Sequence, residues 1–382
     1  MLSSRAYAYR YDRGPHDAIS FINSEFSCRK RLFIAEYDLR GFFDNIRHEY
    51  FMTLVESSMF KITNLEAQIM KSFLDSPVLV PDHNGGFAPK PRKVGIPQGT
   101  SLSLFLANMA AHELDRELER LGVCFVRFAD DTLIWSPSYE QICRAVESLH
   151  DCVDRMGVEI NEIKSPGIRL LVPEASGGAE IASTSSVDFL GHTLGLKKVR
   201  IKESSIRKIK SRIEHLIYTN LLLEPLRQKQ DKGRLSYPDV DKDYVTLIFQ
   251  IRRYLYGSLS EEDLRRYRRG AVSRLKFDGV MSYFPLVDDK TQLNALDGWI
   301  VNVIWLALKK RSKLLSAEGM ALPKPHGLSR SDLIELKSRD ASRYELDLCI
   351  PSFRRISEVI RDAVDTHGLN VITDKKTFYT YA

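Results

Sequence analysis

Two short apolar stretches, Val123–Phe128 and Thr132–Trp135, flank the dipeptide Asp130-Asp131. Runs of this length, rich in Val, Phe, Ile and Trp, read as strands, so the segment is a hairpin with two carboxylates at its tip. By itself an Asp-Asp pair is far more often a solvated turn or a helix cap than a metal site. Two further segments change its meaning. Asp38 ends the apolar run Arg31–Asp38, which also reads as a strand, and Gly95–Ser101 opens a helix of small residues. Strand-borne carboxylates that approach one another are what magnesium needs, because the ion takes oxygen ligands and is held by one or two carboxylates together with substrate phosphates. Two such ions, roughly 3.5–4 Å apart, activate a hydroxyl and stabilise a departing pyrophosphate. Chemistry of that kind depends on positioned charge more than on a reactive side chain.

The rest of the chain frames this constellation. Helical periodicity runs over Ile46–Asp75, Ser101–Leu121 and Ser138–Met156, and Pro77–Ile96 reads as two strands joined at Asn84-Gly85-Gly86. Val187–Leu196 begins a last strand pair. After about Lys202 the pattern turns helical, over Ile206–Leu226, Tyr244–Tyr256, Glu261–Leu275 and Leu293–Leu315, with a capping box of Ser260 and Asp263 before the third. A mixed lobe therefore gives way to a helical one near residues 197–205, and the loops 174–186 and 227–238 read as exposed. At 382 residues, two or three lobes fit the length, and 43% hydrophobic with 28% charged residues describes an ordinary soluble chain. Five scattered cysteines form no C-x-x-C pair and no zinc spacing, which suggests reduced, mostly buried thiols in a cytosolic protein. The longest apolar run, around Trp299–Leu308, is far short of the roughly 20 residues a membrane span requires.

The segments DLRGFFDNI, GIPQGTSLSLFLAN, RFADDTLIW, GVEINEIKS and DFLGH stand in order and resemble the successive palm motifs of reverse transcriptases. The likeness is to the bacterial group II intron, retron and defence-associated branch, and the upstream AYAYRYDRGPHDAI resembles the segment preceding the first catalytic motif. The fold this implies is α+β: a right-hand polymerase with reduced fingers and a palm of antiparallel sheet plus helices over 1–200, then a helical thumb-like, nucleic-acid-binding region over 201–382. The activity it implies is RNA-directed DNA synthesis with two magnesium ions, manganese being the substitute.

Carried over residue by residue, the resemblance makes Asp38 and Asp130 the bridging ligands. Asp131 completes the site, and Leu39 belongs to the implied metal set. Phe43 matches the position that crowds a ribose 2′-hydroxyl, and a core phenylalanine beside Phe42 is the equal alternative. Gln98 would contact the incoming nucleotide, and Lys164 would protonate the leaving pyrophosphate unless it is a plain surface lysine. Phe189-Leu190-Gly191 would grip the primer. Arg127 and Asn108 are expected to bond neighbouring backbone.

Two departures stand out. Phe128 replaces the commoner tyrosine, and the chain begins almost at the second fingers motif, so Arg5, Arg10 or Arg13, a second copy of the chain or a partner protein would have to supply the basic grip on the triphosphate.

Positive charge in the helical half falls in clusters: Arg207, Lys208, Lys210 and Arg212; Arg252 and Arg253; Arg265, Arg266, Arg268 and Arg269; Lys309, Lys310, Arg311 and Lys313. Charge runs on helices are usually solvated faces, but attached to a palm this lobe is placed to clamp a duplex through phosphates. The Ser-Leu-Ser-Leu-Phe-Leu-Ala-Asn wording after Gln98 is most like defence-associated enzymes, which copy a dedicated noncoding RNA against phage. Template-free or protein-primed addition, an intron or retron enzyme, and an inactive RNA-binding scaffold remain the alternatives.

Overall fold

A computed structural model of the protein describes residues 2–57, 59–81, 86–174, 181–235, 240–339 and 345–373. Asn84 and Gly85 of the expected turn lie outside them, as do parts of the loops 174–186 and 227–238. The chain divides into two compact units, Met1–Leu190 with Leu194–Lys197 and Gly191–Thr193 with Lys198–Ala382.

In the first unit, α1 (Pro15–Ser27) starts with proline in its first turn, where a missing N–H costs nothing, and buries Ala18, Ile19, Ile22 and Phe26 at helical spacing. Strand β1 (Leu32–Tyr37) follows, then the two-residue β2 (Leu39–Arg40) and the single turn α2 (Phe42–Asn45). The helix expected over Ile46–Asp75 forms as two, α3 (His48–Glu56) and α4 (Asn64–Leu74). The reason is a capping box: the Thr63 hydroxyl accepts from Glu66 N–H while the Glu66 carboxylate accepts from Thr63 N–H, which restarts the helix there. Strands β3 (Val78–Pro81) and β4 (Phe87–Lys90) pair antiparallel. The helix expected over Ser101–Leu121 is interrupted at Ala111 into α5 (Ser101–Ala110) and α6 (His112–Arg120).

The hairpin forms as β5 (Cys124–Phe128) and β6 (Asp131–Ser136), followed by α7 (Tyr139–Met156), which is capped by Ser138 and stopped by Gly157. Strands β7 (Glu159–Ile160), β8 (Gly167–Leu171), β9 (Ser183–Thr184) and β10 (Val187–Phe189) complete the unit. Five strands make one sheet in the order β5-β6-β1-β8-β9, so β1 lies at its centre between β6 and β8, antiparallel to both. Helices α5, α6 and α7 share a core with the sheet, joining Ala35, Phe125 and Ile134 to Leu106, Met109, Leu114, Ile142 and Leu149. Full burial of each large side chain there contributes about 1.5–3 kcal/mol. The strands that lead to the catalytic candidates are therefore paired on both sides or backed by this core.

The second unit takes His192 and Thr193 of β11 (His192–Leu194), then β12 (Val199–Ile201), and continues with α8 (Glu203–Ile217), a π turn over Tyr218–Leu222, α9 (Leu223–Leu226), α10 (Lys242–Tyr256), α11 (Glu261–Arg268), α12 (Lys290–Ala317) and α13 (Arg330–Ile334). The hairpin β13 (Lys337–Arg339) and β14 (Glu345–Asp347) and the helix α14 (Phe353–His367) follow. Helix α11 stops at Arg268 and not at Leu275 as the periodicity suggests. Gly270 takes a left-handed φ of 72°, Ala271 N–H reaches back to the Arg266 carbonyl, and the last carbonyls are satisfied without further helix.

Candidate active site

The register of the central strands brings the acids together. Tyr37 of β1 lies opposite Thr132 of β6, so the next residue on one side, Asp38, faces the preceding residue on the other, Asp131. Phe128 pairs with Asp131 across the hairpin, which leaves Ala129 and Asp130 as its two-residue loop. Ala129 has φ 59° and Asp130 is not left-handed, the arrangement of a II′ turn. Glycine is the usual residue at Ala129's place, so the turn is held against some strain. Arg127 holds it: one guanidinium nitrogen donates to the Ala129 carbonyl at 3.1 Å and to Asn108 Oδ1, while the other two grip Asp115 at 2.7 Å each. Arg127 and Asp115 are both fully buried. The expected backbone role of Arg127 thus has a partner, Asp115, that local spacing did not reveal. Asn108 donates to the Ala8 carbonyl.

Burial and, behind it, the crowding of like charges mark the tip. Burial, then the charges of Asp130 and Asp38 and a hydrogen bond with Asp38, push the Asp131 carboxyl up to about 7. Burial, with the Asp38 charge behind it, also raises Asp130. Lys164 opposes both shifts.

Asp38 is gripped from the segment after β7. Its two carboxylate oxygens accept from Asn161 Nδ2 (2.9 Å) and Lys164 Nζ (3.0 Å). Its main chain bonds Asn161 N–H and Ser165 Oγ. Lys164 is thus a surface side chain, 64% exposed, that is also bound to Asp38, and that bond raises its own pKa. Asn161 and Ser165 were not anticipated; their signal is an amide and a hydroxyl bracketing a lysine just beyond a short strand.

The second motif packs onto the turn after Asp38. Gly95 N–H donates to the Ile46 carbonyl and Ile96 N–H to that of Phe43, while Gln98 Nε2 reaches Asp44 Oδ1 at 2.9 Å. Gly95 has φ 82°, and a β-carbon there would meet the Asp44 carbonyl oxygen at 2.6 Å, so glycine is required. Phe43 is half-buried against the core, edge-on to Phe42 and to Tyr9. Gln98 is exposed. Leu39 turns its side chain into the core, which leaves only its main chain for an ion. Phe189 is buried, and Leu190 and Gly191 follow it with φ of 43° and 75°.

The basic clusters of the helical half divide. Arg311 is fully buried, binding Asp241 and Asp243 and donating to the Leu221 carbonyl and Gln230. Arg252 is buried too, against the carbonyls of Asp347 and Cys349. Neither belongs to a basic surface, which corrects that expectation, because a guanidinium in the interior needs carboxylates and carbonyls around it. Of the α11 arginines, Arg265 is bound to Asp347 and Glu262, and Arg268 to Glu358. Arg266 and Arg269 make no ion pair among the described residues.

No three of His, Cys, Asp and Glu meet as a preformed cage among the described residues. Magnesium does not ask for one, since it keeps waters and takes ligands from substrate phosphates. An oxygen-only donor set at the end of β1 and the hairpin tip, its carboxyls raised by burial first and by one another's charge second, suits a hard divalent cation. No described helix is long and apolar enough to cross a membrane.

The family described as reverse transcriptase (RNA-dependent DNA polymerase) matches residues 2–194. The group II intron-encoded protein LtrA of Lactococcus lactis subsp. cremoris is 29% identical over 145 residues, 38% of this chain and 22% of its own length. Among solved structures, apo telomerase from Candida tropicalis is similar at TM-score 0.42 and 11% identity, covering 96% of this chain and 51% of that one. Telomerase from Candida albicans in complex with a fragment of telomeric RNA gives TM-score 0.41 and 14% identity, covering 82% and 51%. The chain thus spans about a fifth of the length of the intron protein and half that of the telomerases.

Proposed function

The chain belongs to the reverse transcriptase family, and from that premise we propose that it is an RNA-directed DNA polymerase with Asp38, Asp130 and Asp131 as its catalytic carboxylates. The observation that carries the reading is the β1–β6 register, which delivers Asp38 and Asp131 side by side next to the hairpin tip. Asp38, Asp130 and Asp131, with the Leu39 main chain, would hold two magnesium ions. When bound, such ions activate the primer hydroxyl and neutralise charge on the leaving phosphates.

The chain's own residues do the rest. Arg127 and Asp115 keep the hairpin tip from relaxing, and Asn161 orients Asp38. Lys164 stays charged at neutral pH, balances the acids and stands ready to donate a proton to pyrophosphate. Phe43 faces the sugar and Gln98, oriented through Asp44, faces the nucleotide. The main chain at Phe189 and Gly191 contacts the primer strand, the Phe189 ring itself being buried. In the helical unit, phosphate contacts fall chiefly to Arg266 and Arg269, with Arg265 and Arg268 contributing after exchange of their acidic partners. The wording of Ser101–Asn108 supports a dedicated noncoding RNA as template, in bacterial defence against phage.

Primer extension on RNA with deoxynucleotides and magnesium, together with sequencing of copurified nucleic acid, tests the proposal. Complementary DNA is expected from the parent protein and none from Asp130→Ala/Asp131→Ala, with the fold retained. Incorporation by the double variant would overturn the assignment. A homopolymer product would show untemplated addition, and bound RNA without DNA would show a scaffold.

A further inference from the structure

Residues 5–9 run beside strand β5. Tyr7 N–H donates to the Arg127 carbonyl at 2.9 Å, and Arg127 N–H donates to that of Arg5 at 3.0 Å. Asn108, which receives Arg127, donates to the Ala8 carbonyl. One hydrogen-bonded network therefore fixes both this N-terminal strap and, through Arg127 and the Ala129 carbonyl, the tip that carries Asp130.

The next residue of the strap, Tyr9, has φ 60°. A residue with a β-carbon avoids that region, and such strain persists only where the surroundings impose it. Its consequence here is a ring placed edge-on to Phe43, centroids 6.2 Å apart and planes at 74°. Phe42 meets Phe43 at 5.9 Å and 84°. The Phe43 ring thus has two T-shaped aromatic neighbours, one from its own helix and one from the strap. Tyr9 itself is left 38% exposed, which a ring placed only to fill the core would not be.

We infer that Tyr9 is a positioning residue for sugar selection: its ring backs Phe43 and keeps it at the depth that excludes a ribose 2′-hydroxyl. This rests on the reading of Phe43 as the residue that faces the sugar. Discrimination by a ring against a hydroxyl depends on where the ring is held, and a tilt away from the sugar admits the extra oxygen without touching the metal-binding acids. The strap is then a part of the nucleotide site, wired to the hairpin tip through Asn108 and Arg127.

The test is the ratio of kcat/KM for dGTP and GTP, with the full chain, magnesium and an oligo(dG) primer on poly(rC). Tyr9→Gly removes the ring and suits the left-handed backbone, so the fold is retained. It should lower the ratio about 2- to 10-fold, the size of a lost ring–ring contact. Tyr9→Phe keeps the edge contact and should keep the ratio. Phe43→Val should lower the ratio further, and adding Tyr9→Gly to it should change nothing more.

An unchanged ratio in Tyr9→Gly alongside a lowered one in Phe43→Val overturns the role of Tyr9 and leaves the sugar-facing role of Phe43 standing. An equal loss in Tyr9→Phe assigns the effect to the hydroxyl and overturns the ring contact. No change in either Phe43→Val or Tyr9→Gly removes the reading of Phe43 and the inference with it.

Discussion

Asp131 binds a proton far more readily in the folded chain than an ordinary carboxylate does, because burial and the charges of Asp130 and Asp38 raise it to about 7. From about pH 4 to about 7 the folded state therefore holds more protons than the unfolded state, and this group's contribution to stability falls as pH rises through that window. Asp131→Asn removes the contribution. In urea melts with EDTA, the variant should match its parent near pH 4.5 and exceed it by about 1 kcal/mol at pH 8, a figure reduced for the partial exposure of the site. A difference between the two that does not change with pH would show that neither burial nor the neighbouring charges raise Asp131 in the folded chain. Asp130 and Asp131 were legible as the tip of a hairpin from one short stretch, and their reading as a metal site needed Asp38 and the other motifs beside them. Asn161, Ser165 and Asp115 were not, because each acts on a residue that is distant in sequence.

Among the elements, the loop 95–98 and the turn α2 form one unit, laced by two main-chain bonds and by Gln98 to Asp44. Gly95→Ala drives a β-carbon toward the Asp44 carbonyl at a left-handed φ. It should cost about 1–3 kcal/mol of stability and raise KM for nucleotide more than it lowers kcat, because Phe43 and Gln98 shift together. Unaltered melting and KM would separate the two segments. Hairpin, central strand and α7 were legible because alternation and capping are local signals. The division of Ile46–Asp75 was legible in principle from Thr63-x-x-Glu66, and the end of α11 from Gly270. Periodicity continues past both points because an apolar pattern does not record where a helix stops.

At the scale of the molecule, positive charge in the helical unit has two fates. Arg311 is buried among Asp241, Asp243, Gln230 and a carbonyl, so Arg311→Ala leaves Asp241 with only His326 and Asp243 with only the half-exposed Arg234 as basic partners. The expected loss is about 3–5 kcal/mol, measured by thermal or urea unfolding. Arg266→Gln/Arg269→Gln should leave stability within about 0.5 kcal/mol. It should lower the slope of log RNA affinity against log salt by about one unit per lost phosphate contact. An unchanged slope would return both arginines to a solvated face.

These fates show where sequence and tertiary structure divide the work. The order of the acidic motifs, the hairpin with Asp130 and Asp131 at its tip, the passage from mixed to helical pattern near residue 200 and the family itself all follow from the chain, because alternation, turn chemistry and motif spacing act over a few neighbouring residues. Which arginine goes inside, which side chains hold Asp38, and what braces Phe43 were decided only on folding. Arg311 and Arg266 look alike in a charge run, and only the carboxylates of a distant segment distinguish them. A buried cation is stable where such partners converge, and convergence is a property of packing, not of local sequence.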